Sequence, residues 1–183
     1  MTRDGAVAAV EALFDAGGSD AYFGERVTQL QHALQAAQCA QRAQADDELV
    51  LAALLHDVGH LLGSENIHAE IGVIDHDKSC VDWLQQHGFS PRVVALVSGH
   101  VDAKRYLVAT NPDYYQRLSD ASRQTLALQG GAMSDQEVAE FESNPHYRDL
   151  LRLRSWDEQA KDPEALTQDL WHYRALIARH AHR

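Results

Sequence analysis

The stretch LAALLHDVGHLL, residues 51–62, decides the fold. Leucine and alanine fill it almost without interruption, as in a helix buried on all sides. Yet His56 and Asp57 stand side by side in its middle. A carboxylate removed from water without a partner is costly, and it either shifts its pKa or gains a counter-charge. Neighbouring positions on a helix point about 100° apart, so both side chains meet at one point only if that point lies close to the helix flank. A metal ion meets this condition, because its ligand bonds are only about 2 Å long. It also brings the positive charge that Asp57 needs. A core histidine bonded to backbone, beside an aspartate that caps a helix or pairs with an arginine, is the plainer alternative.

Helical patterning extends outward in both directions. Residues 4–15 read as a short amphipathic helix ending before Gly17 and Gly18. Gly24 opens a longer helix with Val27, Leu30, Leu34 and Ala37 on one stripe. The helix over 47–61 is the central one. The segment 76–88 stops at Gly88, and Ser90-Pro91 gives the next helix an N-cap and a proline at its first position. More helices are expected around 113–128, after Ser134 with its capping box to Glu137, over 145–160, and over 163–180. The last carries Leu166, Leu170, Tyr173 and Ile177 along one face. Alternating β-branched runs, internal repeats and low-complexity linkers are absent. The expectation is a single all-α domain over residues 1–183, a length that can bury a proper core.

Bulk properties narrow the function. A net charge of −11 argues against unaided binding to nucleic acid or an anionic membrane. No apolar run approaches the roughly 20 residues that span a bilayer. Residues 1–18 carry Asp4 and Glu11 where a signal peptide would have an uncharged core. Cys39 and Cys80 make no disulfide framework, so a reducing cytoplasm is expected. Eleven histidines in 183 residues point towards metal chemistry.

Taken singly, the other candidate ligands are ordinary. His32 lies off its helix's apolar stripe, with the small Ala36 and Cys39 four and seven places on. His76 sits at a helix start, and His100 follows Val93, Val94, Leu96 and Val97 on an apolar helix. Asp157 reads equally well as an exposed helix residue. Their order is what distinguishes them. The series His32, His56-Asp57, His76, His100, Asp157 resembles the HD-domain superfamily of dinuclear metal proteins, in which the His-Asp pair sits on a central helix and the aspartate bridges two metals. The resemblance covers roughly residues 20–160.

Most relatives of that kind are metal-dependent phosphohydrolases, and a smaller branch are mixed-valent diiron oxygenases. The stretches YFGERVTQLQHALQAA (22–37), LLHDVGH (54–60), GHVDAKRYL (99–107), LSDASRQTLALQGGAMSDQE (118–137) and LRSWDEQAK (153–161) are similar to the oxygenases that cleave hydroxylated aminoethylphosphonates. This resemblance implies an all-α helical bundle around two iron ions, Fe(II) and Fe(III). His32, His56 and Asp157 would hold one iron, His76 and His100 the other, and Asp57 would bridge them. Manganese, cobalt or nickel take the same donor types. It further implies roles at the substrate for Tyr22, Glu25, His60, Lys104, Ser122 and Gln129. The implied reaction uses dioxygen to break the carbon–phosphorus bond of a small organophosphonate, releasing phosphate with glycine or glycine betaine.

Spacing supports part of this set. His60 is four residues after His56 and Lys104 four after His100, so each shares a face with a candidate ligand. Ser122 and Gln129, seven apart, share another face. Without the family, Lys104 reads equally as a surface lysine, Ser122 and Gln129 as exposed polar residues, and Glu25 as a helix-start carboxylate. For the amine end, Glu25 suits a primary ammonium. A trimethylammonium group wants aromatic faces and diffuse negative charge, for which Tyr22, Phe23, Tyr106, Tyr114, Tyr115, Trp156, Asp75 and Asp77 are at hand. These residues suit either form, with the N-methylated one preferred. The main rival is a phosphohydrolase acting on a nucleotide or phosphomonoester with the same six ligands. A polyol oxygenase shares the metal core but not the phosphonate set, and an inactive HD-like scaffold would be expected to lack ligands.

Overall fold

A computed structural model of the chain describes residues 3–22, 24–63, 67–68, 72–73 and 76–181. Helix α1 runs Arg3–Gly17, α2 Gln29–Arg42 and α3 Asp47–Leu55, followed by a 3-10 turn over Val58–His60. Two-residue strands, β1 (Ile67–His68) and β2 (Gly72–Val73), pair antiparallel. Then come α4 (His76–Ser79), α5 (Val81–Gln86), α6 (Pro91–Thr110), α7 (Tyr114–Arg117), α8 (Asp120–Leu128), α9 (Asp135–Ser143) and α10 (Tyr147–Gln159). A 3-10 turn over Leu170–Tyr173 leads into α11 (Arg174–His180). Phe23, Asp75 and His182 lie outside the described residues.

Every residue of α3 from Leu49 to Leu55 is buried, and α2, α6, α10 and α11 pack around it. Leu49, Leu51, Leu54, Leu55, Leu96 and Leu153 form the centre of one apolar core. Burying side chains of this size is worth about 1.5–3 kcal/mol each, which makes α3 the anchor for whatever follows it. The starts of the surrounding helices are fixed locally. Thr28 and Ser134 close capping boxes with Gln31 and Glu137, while Asp46, Ser90 and Ser119 accept from backbone N–H groups of α3, α6 and α8.

Among the described residues the structure departs from the sequence expectation in six places. The central helix ends at Leu55, not 61, so Asp57 (φ −106°, ψ 10°) has left helical geometry. Gly24, at φ +73°, turns the chain before α2 instead of opening it, and Ala21 bridges to Thr28 across that turn. The 76–88 segment breaks at Cys80, and 113–128 breaks at Leu118, where Ser119 caps a new helix. Residues 163–169 are not helical: Leu166 is 91% exposed, and the helical turns begin only where the Asp169 side chain accepts from His172 N. The β1–β2 pair is an addition to the all-helical expectation. Among the described residues no helix is long and apolar enough to cross a membrane.

Candidate metal centre

Three of the four imidazoles are aimed by backbone carbonyls. His32, one turn into α2, places Nδ1 2.8 Å from the Ala160 oxygen beyond α10. His56, capping α3, places Nδ1 2.9 Å from Ala53 O, and His100 within α6 places its own 2.7 Å from Val97 O. A carbonyl oxygen only accepts, so each of these Nδ1 atoms carries the hydrogen and each Nε2 keeps a lone pair for the centre. His76 opens α4 and faces the same point.

The Nε2 atoms form two close pairs, His32 with His56 at 3.0 Å and His76 with His100 at 3.0 Å. The Asp57 carboxylate lies between the pairs. Its Oδ1 is 3.1 Å from His76 Nε2 and 3.4 Å from His100 Nε2. Its Oδ2 is 3.4 Å from His32 Nε2 and 3.3 Å from His56 Nε2. Asp157, near the end of α10, brings Oδ1 to 3.4 Å from His32 Nε2, while its Oδ2 accepts from Arg154 Nη1 at 2.5 Å. Two donor groups result, His32–His56–Asp57 and Asp57–His76–His100, joined by the one carboxylate.

This arrangement is uncomfortable without cations. Unprotonated imidazole nitrogens facing each other at 3.0 Å repel. The same separation is what two ligands make when they meet at a right angle on one ion with bonds of about 2.1 Å. Asp57 is 8% exposed, and its Oδ2 has no hydrogen-bond donor among the described residues. A buried polar atom left in that state costs about 1–3 kcal/mol. An ion beside each imidazole pair removes both penalties, so the donor set fits two metals. Protons are the alternative cations. Burial alone would lower the His32 pKa, but the adjacent Asp157 and Asp57 carboxylates outweigh this and raise it to about 9. Asp57 likewise is held well below the carboxylate range by the surrounding imidazoles, against the effect of burial.

A search of family descriptions matches residues 30–167 to the HD domain. The chain belongs to the HD domain family. The matched span holds every candidate ligand, and Tyr22 and Glu25 lie just before it. Over 182 residues the chain is 38% identical to the [1-hydroxy-2-(trimethylamino)ethyl]phosphonate dioxygenase (glycine-betaine-forming) of Leisingera caerulea, covering 98% of this chain and 92% of the relative. It is 41% identical over 169 residues to the hydroxymethylphosphonate dioxygenase of Gimesia maris, covering 91% and 83%. An uncharacterized protein of Acanthamoeba polyphaga mimivirus is 41% identical over 164 residues, covering 88% and 74%.

In this HD domain the centre opens onto a cavity of about 50 Å³. Tyr22, Glu25, His60, Lys104, Ser122 and Gln129 all line it. The Tyr22 ring stacks on His32 with centroids 4.0 Å apart, and its phenol pKa is raised by burial and by the negative Asp57 and Asp157. His60 stacks on His76 at 3.9 Å, and burial followed by its imidazole neighbours keeps it neutral. Lys104 is 4% exposed and donates to Thr125 Oγ1 at 2.9 Å. Burial pulls its ammonium down to about 7, with Arg154 adding to the effect. Of the described aromatics considered for a methylated cation, only Tyr22 borders the cavity. Tyr114 bonds to Arg154, Tyr106 bonds to Glu142, Tyr115 is largely exposed, and Trp156 is in the core.

Three polar lining residues escaped the sequence reading: Thr125, Arg154 and Lys161. For the first two the signal was present. Arg154 precedes Asp157 by three and Thr125 follows Ser122 by three, spacings that share a helix face, while Lys161 lies just beyond the end of α10 and no helical spacing marks it.

Proposed function

We propose that this HD domain is an iron-dependent dioxygenase that cleaves the carbon–phosphorus bond of a (R)-1-hydroxy-2-aminoethylphosphonate, with the amine free or trimethylated. The observation that carries this reading is the Asp57 carboxylate, bare on one oxygen, set between two imidazole pairs at the floor of a cavity that also holds Lys104 and Arg154. A dianion fits that cavity's cations, and the metal pair fits its floor. The names of the two phosphonate dioxygenases among the relatives support the same chemistry. Bound iron, Fe(II) and Fe(III) together, would supply dioxygen binding and the electron transfers.

The sum balances with one dioxygen and no external reductant. The hydroxylated carbon is oxidised to a carboxylate, both oxygen atoms are taken up, and phosphate leaves with glycine, or with glycine betaine from the trimethylated form. In this reading His32, His56 and Asp157 hold one ion, His76 and His100 the other, and Asp57 joins them. Lys104, Ser122, Gln129 and neutral His60 hold the phosphonate. An arriving dianion favours the charged form of Lys104, whose burial otherwise weakens it. Glu25 faces the amine end, and Tyr22 shields the His32 side of the centre from water.

A phosphohydrolase would use the same donor set, and one experiment separates the two. Phosphate release from the hydroxylated aminoethylphosphonate and its trimethylated analogue is followed with ferrous iron present, with and without dioxygen. Release that requires dioxygen is expected. Equal release under strict anaerobiosis would establish the hydrolase instead.

A further inference from the structure

Lys161 is the cavity's unassigned cation, and its position is heavily determined. The backbone at 160–162 is strapped to α2 by three bonds. Ala160 O accepts from His32 Nδ1 at 2.8 Å, Gln35 Nε2 donates to Asp162 O at 2.9 Å, and Asp162 N donates to Gln35 Oε1 at 3.1 Å. From that strap Lys161 Nζ reaches Glu25 Oε1 at 2.6 Å and Ser119 Oγ at 3.3 Å, and it stands 5.9 Å from the centre of the Tyr22 ring. Both partners of the ion pair are sheltered, with side chains 17% and 14% exposed. Glu25 itself is fixed by the tight turn after Tyr22, whose carbonyl accepts from Glu25 N at 2.9 Å.

A carboxylate and an aromatic face gathered around one ammonium is the environment an amine-bearing substrate would need. Here the protein fills it with its own side chain. We infer that Lys161 is a resident ammonium occupying the cation position of the substrate cavity, and that it sets how well the site takes a phosphonate with an amine against one without. This rests on the functional reading above. A tethered group competes at an effective concentration in the millimolar range or higher, so a substrate ammonium must displace Lys161 before it can use Glu25. A primary ammonium can take over the hydrogen bond. A trimethylammonium has no N–H to offer and gains only the charge and the ring. A hydroxymethylphosphonate leaves the Lys161–Glu25 pair undisturbed.

Removing Lys161 also removes a cation from a cavity that binds dianions, which weakens every phosphonate alike. The ratio between two phosphonates cancels that shared loss. Dissociation constants for 2-amino-1-hydroxyethylphosphonate and hydroxymethylphosphonate are therefore measured calorimetrically under anaerobic conditions, with the iron-loaded wild type, Lys161→Met and Lys161→Arg. The expected result is that Lys161→Met shifts the ratio about tenfold towards the amine, while Lys161→Arg keeps the wild-type ratio. Should Lys161→Met fail to fold, Glu25→Gln is read in its place. Freed of its counter-ion, Lys161 is then expected to tighten hydroxymethylphosphonate binding severalfold while the amine form weakens. Binding of both phosphonates with a ratio that Lys161→Met leaves unchanged, or with Glu25→Gln moving both constants equally, overturns this inference alone. Binding of neither phosphonate to the wild type overturns the functional reading and this inference with it.

Discussion

Gly59, in the HDVGH run, offers a clean perturbation of half the metal centre. It needs no left-handed backbone, so alanine at 59 has only a steric effect. A Cβ there would overlap the His76 carbonyl oxygen outright and would lie 2.6 Å from its carbon and 2.8 Å from the His76 Cα. Ordinary contact begins near 3.4 Å, so the backbone at 76 must withdraw by at least the gap between 2.6 and 3.4 Å. Metal–ligand distances tolerate only about 0.2 Å, which makes this displacement several times too large for His76 to remain a ligand. Overpacking of this kind costs about 1–3 kcal/mol. For a chain of this size that corresponds to a Tm lower by roughly 2–12 °C. His32 and Asp157 stand on α2 and α10 and His56 at the end of α3, so they are expected to keep their ion. The assay is metal content after anaerobic purification, paired with a thermal scan. Gly59→Ala is expected to fall from about two ions per chain towards one, with a lower Tm. Gly63→Ala serves as control for metal content alone: its Cβ meets nothing within 4 Å, so it should keep both ions, while its φ of +68° lowers Tm through backbone strain. A Gly59→Ala protein with wild-type metal content and Tm would refute the steric coupling between the turn and His76.

Other perturbations separate the roles further. Lys104→Ala removes a charge-assisted contact worth about 1.5–3 kcal/mol, so the phosphonate Kd, measured by calorimetry, should rise by about one to two powers of ten; an unchanged Kd removes Lys104 from the phosphonate pocket. Arg92 pairs with Asp46 at 2.7 Å, Asp149 at 2.9 Å and Glu48 at 3.1 Å. Arg92 lowers the Asp46 pKa most, while the Ser90 hydroxyl leads for Glu48 with Arg92 contributing. Carboxyls depressed in the folded state stabilise it above their ordinary range and lose that contribution as pH falls through the depressed values. Tm should therefore fall between roughly pH 5 and 3, and less steeply in Arg92→Met, with parallel curves counting against the network.

Much of the helical frame is legible in the sequence because its determinants are local. Ser90 and Ser134 mark helix starts by accepting backbone hydrogens within their own turn and are read as such; Thr28 and Ser119 do the same, but Gly24 and the unbroken pattern over 113–128 draw the reading away from them. Unbroken apolar composition likewise places α3 at the centre. What is not legible depends on distant partners. Residues 163–169 carry a helical apolar pattern, yet the chain entering them is strapped to α2 by Gln35, and Leu166 ends in solvent. The end of α3 is similar. Nothing in LAALLHDVGHLL says that the helix stops at Leu55, because the unwinding is what turns the Asp57 carboxylate towards His76 and His100 on other elements. The His-Asp pair was therefore readable as a site, while its geometry was not. Arg154 escaped because an ion pair with a carboxylate three places on is ordinary on any helix, and Lys161 because its partner Glu25 is distant in sequence; only the cavity gives either its meaning.

The most direct test of the metal centre is an anomalous difference map at the iron edge, from crystals of protein purified and grown without oxygen. Two peaks are expected, one between Asp57 and the His32–His56 pair and one between Asp57 and the His76–His100 pair. A map with a single peak, or with none near Asp57, would contradict the account.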